Sequence, residues 1–273
     1  MYAKKMEACI SELKWWMASQ SLQMNDAKTE VLCFTPKRHP VNVTQTVSVH
    51  VGSSAIQLTP CARNLGIMMD QHLSTQDFVT KTCQVCYVHL RDISSIRDAL
   101  TTSAANQLVH SLVSSRLDYC NSLLVGCPQQ LIAKLQRLQN MAARVVLGRS
   151  IRSFDHSIDR LHHLHWLPIP QRIQFKVLLT AFKAMHGLTP VYLSEMLHEH
   201  LPPRPLRSGQ EHRLALPPTR PRTSYGDRNF KTAAPRLWNE IIPLELRNQV
   251  TLTYFKSKLK TELFKTAFMS IQT

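Results

Sequence analysis

Two cysteines in this sequence have a spacing that could serve metal or redox chemistry. Cys83 and Cys86 show the CxxC pattern found in zinc sites and in thiol–disulfide motifs. A zinc site needs further ligands at similar closeness, and the nearest rich source is the distant histidine stretch at 162–165. The cysteine pair also falls inside a helical pattern with no strand before it, unlike a thioredoxin-like redox motif. We therefore interpret both cysteines as buried core thiols.

The histidine stretch is the second candidate for ligand chemistry. His162, His163 and His165 precede Trp166, and such rings could stack on nucleic-acid bases or bind a metal ion. Pro168 follows two residues later, and prolines commonly stand at helix boundaries. We therefore interpret the stretch as a helix-to-loop junction with partly buried rings, and we predict no metal ion and no cofactor.

The spacing of the acidic residues argues against a catalytic centre. Two-metal phosphoryl transfer needs carboxylates that lie close together, and the sequence contains no adjacent acidic pair and no Asp-x-Asp. A phosphate-binding glycine loop and a nucleophile elbow are also absent from it. Asp118, Tyr119 and Cys120 form a polar cluster beside Arg116, which we interpret as a helix end tied by local hydrogen bonds. We predict no catalytic residue.

Charge is the strongest compositional signal. The 273 residues carry a formal net charge of +15. Residues 201–273 hold 13 basic and 5 acidic side chains and so contribute +8 of it. A basic excess of this kind predicts a polyanion partner, most simply nucleic acid, although a basic protein without a specific partner would show it too.

Cysteine usage and hydropathy indicate the compartment. The 7 cysteines are odd in number and scattered, which is typical of free thiols in a reducing, intracellular compartment. Nucleus and cytoplasm are not distinguished. No apolar run reaches the roughly 18 residues of a membrane span, so no membrane is expected as a partner.

The first quarter of the chain mixes helix and strand patterns. Apolar residues at helical spacing predict a helix over 2–19, and β-prone residues predict a strand over 29–35. Residues 41–58 alternate between apolar and polar and turn at 52–54, which predicts a hairpin. Residues 64–70 are predicted to form a further short apolar strand. We predict a small antiparallel sheet with one helix, followed by a mainly helical region.

The rest of the chain has mostly helical periodicity. The central stretch, residues 104–148, is predicted to form two helices with a short break. The second helix has apolar residues every three or four positions and ends at Gly148. Further helices are predicted over 74–100, 154–161, 170–187, 190–198, 230–240 and 252–267. On the first of these we place Phe78, Val85, Ile93 and Ile96, with Val88 or His89, on the apolar side.

Residues 201–225 are rich in proline and arginine. Such a composition predicts an extended basic segment. Its arginines could contact phosphates without reading sequence, while a solvated linker is the open alternative. We therefore divide the chain into domains over 1–72, 73–200 and 201–273.

Short motifs occur in a characteristic order along nearly the whole chain. They are WM, Leu22, Asn25 and KTE at 16–30; NLGI, Asp70 and LS at 64–74; SRLDYCNSLL at 115–124; LQN and AAR at 138–144; LHWLP at 164–168; LRS at 206–208; and Pro235 with LWN at 237–239. Together they resemble the C-terminal part of the reverse transcriptase of LINE-type, non-LTR retrotransposons of the jockey-like group.

This resemblance implies roles for the parts of the chain. The first helix and strand would correspond to the end of the polymerase palm, with Lys28 near the incoming nucleotide. The hairpin and residues 64–70 would correspond to the primer grip, and the helices after it to the thumb, which clamps the template–primer duplex. We therefore expect nucleic-acid contacts at the following residues: Lys28, Arg63, Leu65, Gly66, Arg204, Arg207, Arg220 and Arg222.

The same resemblance implies that catalysis is missing. The family's catalytic carboxylates, including a Tyr-x-Asp-Asp turn, lie before the region matched here. We therefore expect a truncated copy that is not an enzyme and retains at most non-specific binding of RNA or DNA. Two alternatives stay open: a protein-interaction scaffold with no nucleic-acid role, and an RNA-directed DNA polymerase whose catalytic region is supplied by another chain.

Overall fold

The computed structural model describes residues 2–35, 48–52, 54–148, 156–200, 211–219 and 224–269. The chain divides into two compact units, residues 1–78 and 79–273. The first contains the sheets and the second is helical, so the predicted α+β class is confirmed. The predicted domain boundaries at residues 72 and 200 stay predictions.

A helix and a three-stranded sheet form the core of the first unit. Helix α1 spans Tyr2–Ser19 and contacts strand β2 (Ser48–Val51). Strand β2 pairs antiparallel with β3 (Ser54–Thr59), and Val49 and Val51 point inward while Ser48 and His50 point outward. This alternation is the period of a half-buried strand, and it confirms the predicted hairpin from residue 48 onward, while residues 41–47 and 53 of the prediction lie outside the described residues.

The larger sheet is mixed rather than antiparallel. Strand β1 covers only Val31–Leu32, and it pairs with β3 in parallel, with Val31 opposite Leu58. The prediction of an antiparallel sheet was therefore wrong for this strand pair. A parallel pair requires a long crossover connection, which the hydropathy pattern of a short strand does not reveal.

Residues 61–70 form a separate hairpin. Strand β4 (Cys61–Asn64) pairs antiparallel with β5 (Ile67–Asp70). The intervening Leu65 and Gly66 have φ of 47° and 84°, which is the left-handed backbone of a tight two-residue turn. The prediction of one continuous strand over 64–70 was therefore wrong, because an apolar leucine occupies a turn position usually taken by Asn or Asp.

Helix α2 (Gln76–Ser95) opens the helical region, and its buried face differs in part from the predicted one. Phe78 and Ile93 are buried as expected, whereas Val88 and Ile96 are exposed. The other buried side chains of the helix are Val79, Cys83, Cys86 and Leu90. The cysteines behave as small hydrophobic residues, as unreactive buried thiols usually do.

The central helices follow the predicted pattern with one irregularity. Helix α3 (Thr102–Val109) passes through a π-helical turn (His110–Ser114) into the short α4 (Ser115–Asp118). Helix α5 (Gln129–Leu147) buries every predicted apolar position. These positions are Leu131, Leu135, Leu138, Ala142 and Val146.

Seven further helices complete the described chain. They are α6 (Ser157–His163), α7 (Ile169–Met185), α8 (Val191–Ser194), α9 (Ser224–Asp227), α10 (Phe230–Ile241), α11 (Leu244–Arg247) and α12 (Leu252–Phe268). Helices α10 and α12 both pack on α7. Phe182 and Phe255 stack with ring centroids 4.0 Å apart at this packing site, and Trp238 stacks on Phe255.

Candidate nucleic-acid interface

The structure describes four of the eight predicted contact residues. Arg63, Leu65 and Gly66 lie together at the β4–β5 turn, where Leu65 is 83% exposed. The backbone N–H of Arg63 donates to Glu30 Oε2 over 3.3 Å. Lys28 is exposed in a single 3-10 turn capped by the side chain of Asn25. Nucleic-acid contact by these residues stays a prediction.

The other four predicted contacts belong to the proline- and arginine-rich segment. Arg204, Arg207, Arg220 and Arg222 lie outside the described residues. Their expected phosphate contacts therefore stay predictions as well.

A cleft in the helical unit contains basic side chains that the sequence analysis did not select. Its volume is about 450 Å³, and residues of α7, α12, the loop after α6 and the region between α3 and α5 line it. Lys176 on α7 and Lys256 and Lys260 on α12 contribute three ammonium groups. A concave surface lined by positive charges attracts anionic ligands.

These three lysines form no ion pair with the Asp118 carboxylate of the cleft, which pairs with Arg172 instead. All three are exposed, and none forms a salt bridge with another described residue. An ammonium group of this kind is available to a phosphate, and binding one releases condensed counterions from a nucleic acid.

An ion pair fixes one wall of the cleft. Arg172 Nη1 donates to both carboxylate oxygens of Asp118, at 3.0 and 2.9 Å, and Arg172 Nε donates to the Leu167 carbonyl at 2.8 Å. The prediction that local hydrogen bonds tie the 116–120 cluster was therefore incomplete. Its firmest contact reaches α7, whereas the local bond from Asn121 Nδ2 to Asp118 is 3.5 Å long.

Buried amides hold the loop that carries the LHWLP motif. Gln139 Nε2 donates to the Leu167 carbonyl at 2.8 Å, and the Ile169 N–H donates to Gln136 Oε1 at 2.9 Å. Trp166 is buried against His110, with ring centroids 5.4 Å apart in an edge-to-face arrangement. The predicted helix-to-loop junction is confirmed, because α6 ends at His163 immediately before this loop.

Some of the unusual backbone geometry of the described residues lies at the cleft. His110 opens the π-helical turn, and π-helical turns occur frequently at functional sites. Cys120 and His165 adopt left-handed backbone with φ of 51° and 54°. Left-handed residues other than glycine carry strain that clusters at ligand sites.

The environment of the cleft also shifts the pKa of His110. Burial lowers the pKa of His110 below its ordinary value, and the nearby cations Arg172 and Lys260 lower it further, against an opposing effect of Asp118. The lowered pKa favours the neutral form of His110, and Lys176, Lys256, Lys260 and Arg172 are the cations that line the cleft.

The two CxxC cysteines are core thiols, as predicted. Both are buried, and burial raises the pKa of Cys83 and raises that of Cys86 to about 11. Within the described ranges, no three His, Cys, Asp or Glu side chains cluster closely enough to hold a metal ion. None of the described helices combines the length and the apolar character of a membrane span.

Comparisons with family models, with curated proteins and with solved structures found no match to this chain.

Sequence reasoning missed the cleft because its cations are far apart in the chain. Lys176 lies 80 residues before Lys256, and only the packing of α12 on α7 brings their helices together. The sequence does show lysines on the polar side of the last amphipathic helix, which could have indicated part of the cleft. Its periodicity does not show that this helix packs on α7.

Proposed function

We propose that this chain is a nucleic-acid-binding protein related to the reverse transcriptases of non-LTR retrotransposons, and that its helical unit binds RNA or DNA without sequence specificity. The observation that carries the proposal is the convergence of Lys176, Lys256 and Lys260 on one cleft, where the Asp118 carboxylate is paired with Arg172 rather than with these lysines. The ordered motifs of the sequence support the same class of partner.

The lysines of the cleft support binding through phosphates. The rim of the cleft presents flexible ammonium groups, which bind phosphate as point charges without fixing a register. Phosphate contacts of this kind supply affinity that is independent of sequence. The arginines at 204–222 would add further contacts of the same type.

We propose that the chain holds nucleic acid and does not polymerise it. The sequence contains no adjacent carboxylates and no Asp-x-Asp with which to bind two catalytic metal ions. A primer-extension assay with the purified chain should therefore give no product, and templated incorporation of nucleotides would overturn this part of the proposal.

The decisive test compares two variants of equal charge. Lys176→Gln/Lys256→Gln/Lys260→Gln removes the cations of the cleft, and Lys5→Gln/Lys81→Gln/Lys231→Gln removes three exposed lysines from α1, α2 and α10. Fluorescence anisotropy with a labelled RNA–DNA hybrid at low salt measures affinity. The cleft variant should bind at least roughly tenfold more weakly than the control, because counterion release is lost at three phosphates. Equal loss in both variants would overturn the assignment to the cleft.

A protein-interaction scaffold is the second candidate, and one observation favours it. Trp15 and Trp16, together with Met6 and Leu13, are exposed on α1 of the first unit. Exposed large apolar side chains in proximity are typical of protein-binding surfaces. This candidate predicts no binding of the hybrid at low salt, so the same titration separates the two functions.

A further inference from the structure

A buried amide in the cleft lacks a hydrogen-bond donor. Asn121 is 3% exposed and lines the cleft. Its Oδ1 is shielded from solvent and accepts no hydrogen bond from any described residue. Leaving a buried acceptor unsatisfied is costly, so a ligand in the cleft that supplies the missing donor would relieve this cost.

The neighbouring carboxylate fixes the orientation of this amide. Asn121 Nδ2 donates to Asp118 Oδ1 over 3.5 Å. The flipped amide would place Oδ1 against the negatively charged carboxylate, so Oδ1 is the atom that stays without a partner. Asn121 and Asp118 together give this part of the cleft two acceptors, and a carboxylate keeps acceptor capacity even when paired with arginine.

The rest of the cleft fits the other parts of a nucleotide. Its volume of about 450 Å³ lies within the range of roughly 300–1,000 Å³ that is usual for small-ligand sites. Phe175 and His110 supply aromatic surface, while Lys256 and Lys260 supply cations. Aromatic surface suits a base taken out of its stack, and the cations suit its phosphate.

We propose that the cleft binds one unstacked nucleotide of a single strand, and that it prefers cytosine or adenine, whose exocyclic amine stands where uracil and guanine carry a carbonyl oxygen. The amine donates to Asn121 Oδ1, and the flanking phosphates contact Lys256 and Lys260. This inference rests on the proposed function, since it names the ligand of the same cleft.

The preference follows from the two acceptors. The amine of cytosine or adenine has two hydrogens, and Asn and Asp side chains are common partners of these groups. Uracil offers only one ring N–H, flanked by two carbonyl oxygens, which the Asp118 carboxylate would repel. The cleft therefore discriminates against uracil, while its lysines contact the phosphates of every strand equally.

The test uses single strands of equal length and charge. Oligo-cytidine and oligo-uridine of about 12 nucleotides are titrated against the full chain by fluorescence anisotropy at one salt concentration. The phosphate contribution is the same for both strands, so the ratio of affinities reports the base. Oligo-cytidine should bind at least about fivefold more tightly, the lower end expected for one good contact to a base edge.

Two controls assign the preference to Asn121. Asn121→Leu should reduce the ratio to about one, whereas Asn106→Leu should keep it. Asn106 lies on α3, outside the cleft, and also has a buried oxygen without a described donor. Asn106→Leu therefore makes the same chemical change as Asn121→Leu at a site away from the cleft. Replacing cytidine by N4,N4-dimethylcytidine removes the donor from the ligand side and should abolish the preference without altering the protein.

The outcomes separate this inference from the proposed function. Tight but equal binding of both strands would overturn the base preference and leave non-specific binding in place. A preference that survives in Asn121→Leu would overturn the role of the amide. No binding of either strand at low salt would overturn both proposals.

Discussion

At the scale of single residues, the polar contacts of the helical unit connect its motifs to one another. Asp118 belongs to the SRLDYCNSLL motif, and Leu167 belongs to LHWLP. Arg172 binds both of them through its guanidinium, and Gln139 binds the same Leu167 carbonyl. Residues of these two motifs therefore help to position the wall of the cleft.

The pair Asp118–Arg172 should contribute to stability. We expect Asp118→Ala to lower the free energy of unfolding by about 1–2 kcal/mol, because the guanidinium of Arg172 is largely buried and would lose a charged partner. Urea denaturation measures this. The control Asp92→Ala, at an exposed position with no salt bridge among the described residues, should change it by less than about 0.5 kcal/mol. Equal effects would show that the ion pair is not a structural contact.

The buried thiols should be unreactive. Burial raises the pKa of Cys86 to about 11, so the nucleophilic thiolate is scarce at neutral pH. Alkylation of the folded chain with iodoacetamide, followed by mass spectrometry of peptides, should modify the exposed Cys9 and leave Cys86 intact. Alkylation of Cys86 as fast as Cys9 would contradict its place in the core.

At the scale of elements, the end of α5 depends on a glycine and an arginine. Gly148 has φ 54° and ψ −125°, a backbone conformation available essentially to glycine alone. Arg97 donates to the carbonyls of Val145 and Val146 at 2.7 and 2.8 Å, satisfying two groups of the last helical turn. The C-terminal end of α5 is thus capped by a side chain from a distant part of the sequence.

Adding a methyl group at this position should destabilise the unit. We expect Gly148→Ala to cost about 1–3 kcal/mol through backbone strain, and its Cβ would also lie 3.0 Å from Arg97 Nη2. Gly187→Ala is the control, since it has φ 66° but nothing within 4 Å of the added atom. Thermal or urea unfolding should rank Gly148→Ala as the more damaging change, and the reverse order would contradict the role of Arg97.

The helices were predictable where one buried face repeats along the sequence. The faces of α5 and of α7 are such cases, because burial against a core imposes the 3.6-residue period directly. The Leu65–Gly66 turn and the parallel pairing of β1 were not predictable, since each depends on backbone geometry or on a partner distant in the chain. The cleft was missed for the same reason, as its lysines come from separate helices.

At the scale of the whole molecule, the positive charge has a structural location. The sequence shows a basic excess that grows toward its C-terminus, and the helical unit places part of it around one cleft. The sequence motifs and the cleft support the same proposal, a polyanion-binding unit without polymerase chemistry. The proposed binding of a polyanion requires that these cations contact the same ligand.

The measurement that tests this most directly is the salt dependence of hybrid binding by the wild-type chain and by the cleft variant. The slope of log K against log salt counts neutralised phosphates, at roughly 0.9 per contact for duplex DNA. We expect a wild-type slope of several units, and a slope about three units smaller when Lys176, Lys256 and Lys260 are replaced by glutamine. An identical slope in the two proteins, or no wild-type binding at low salt, would contradict the account.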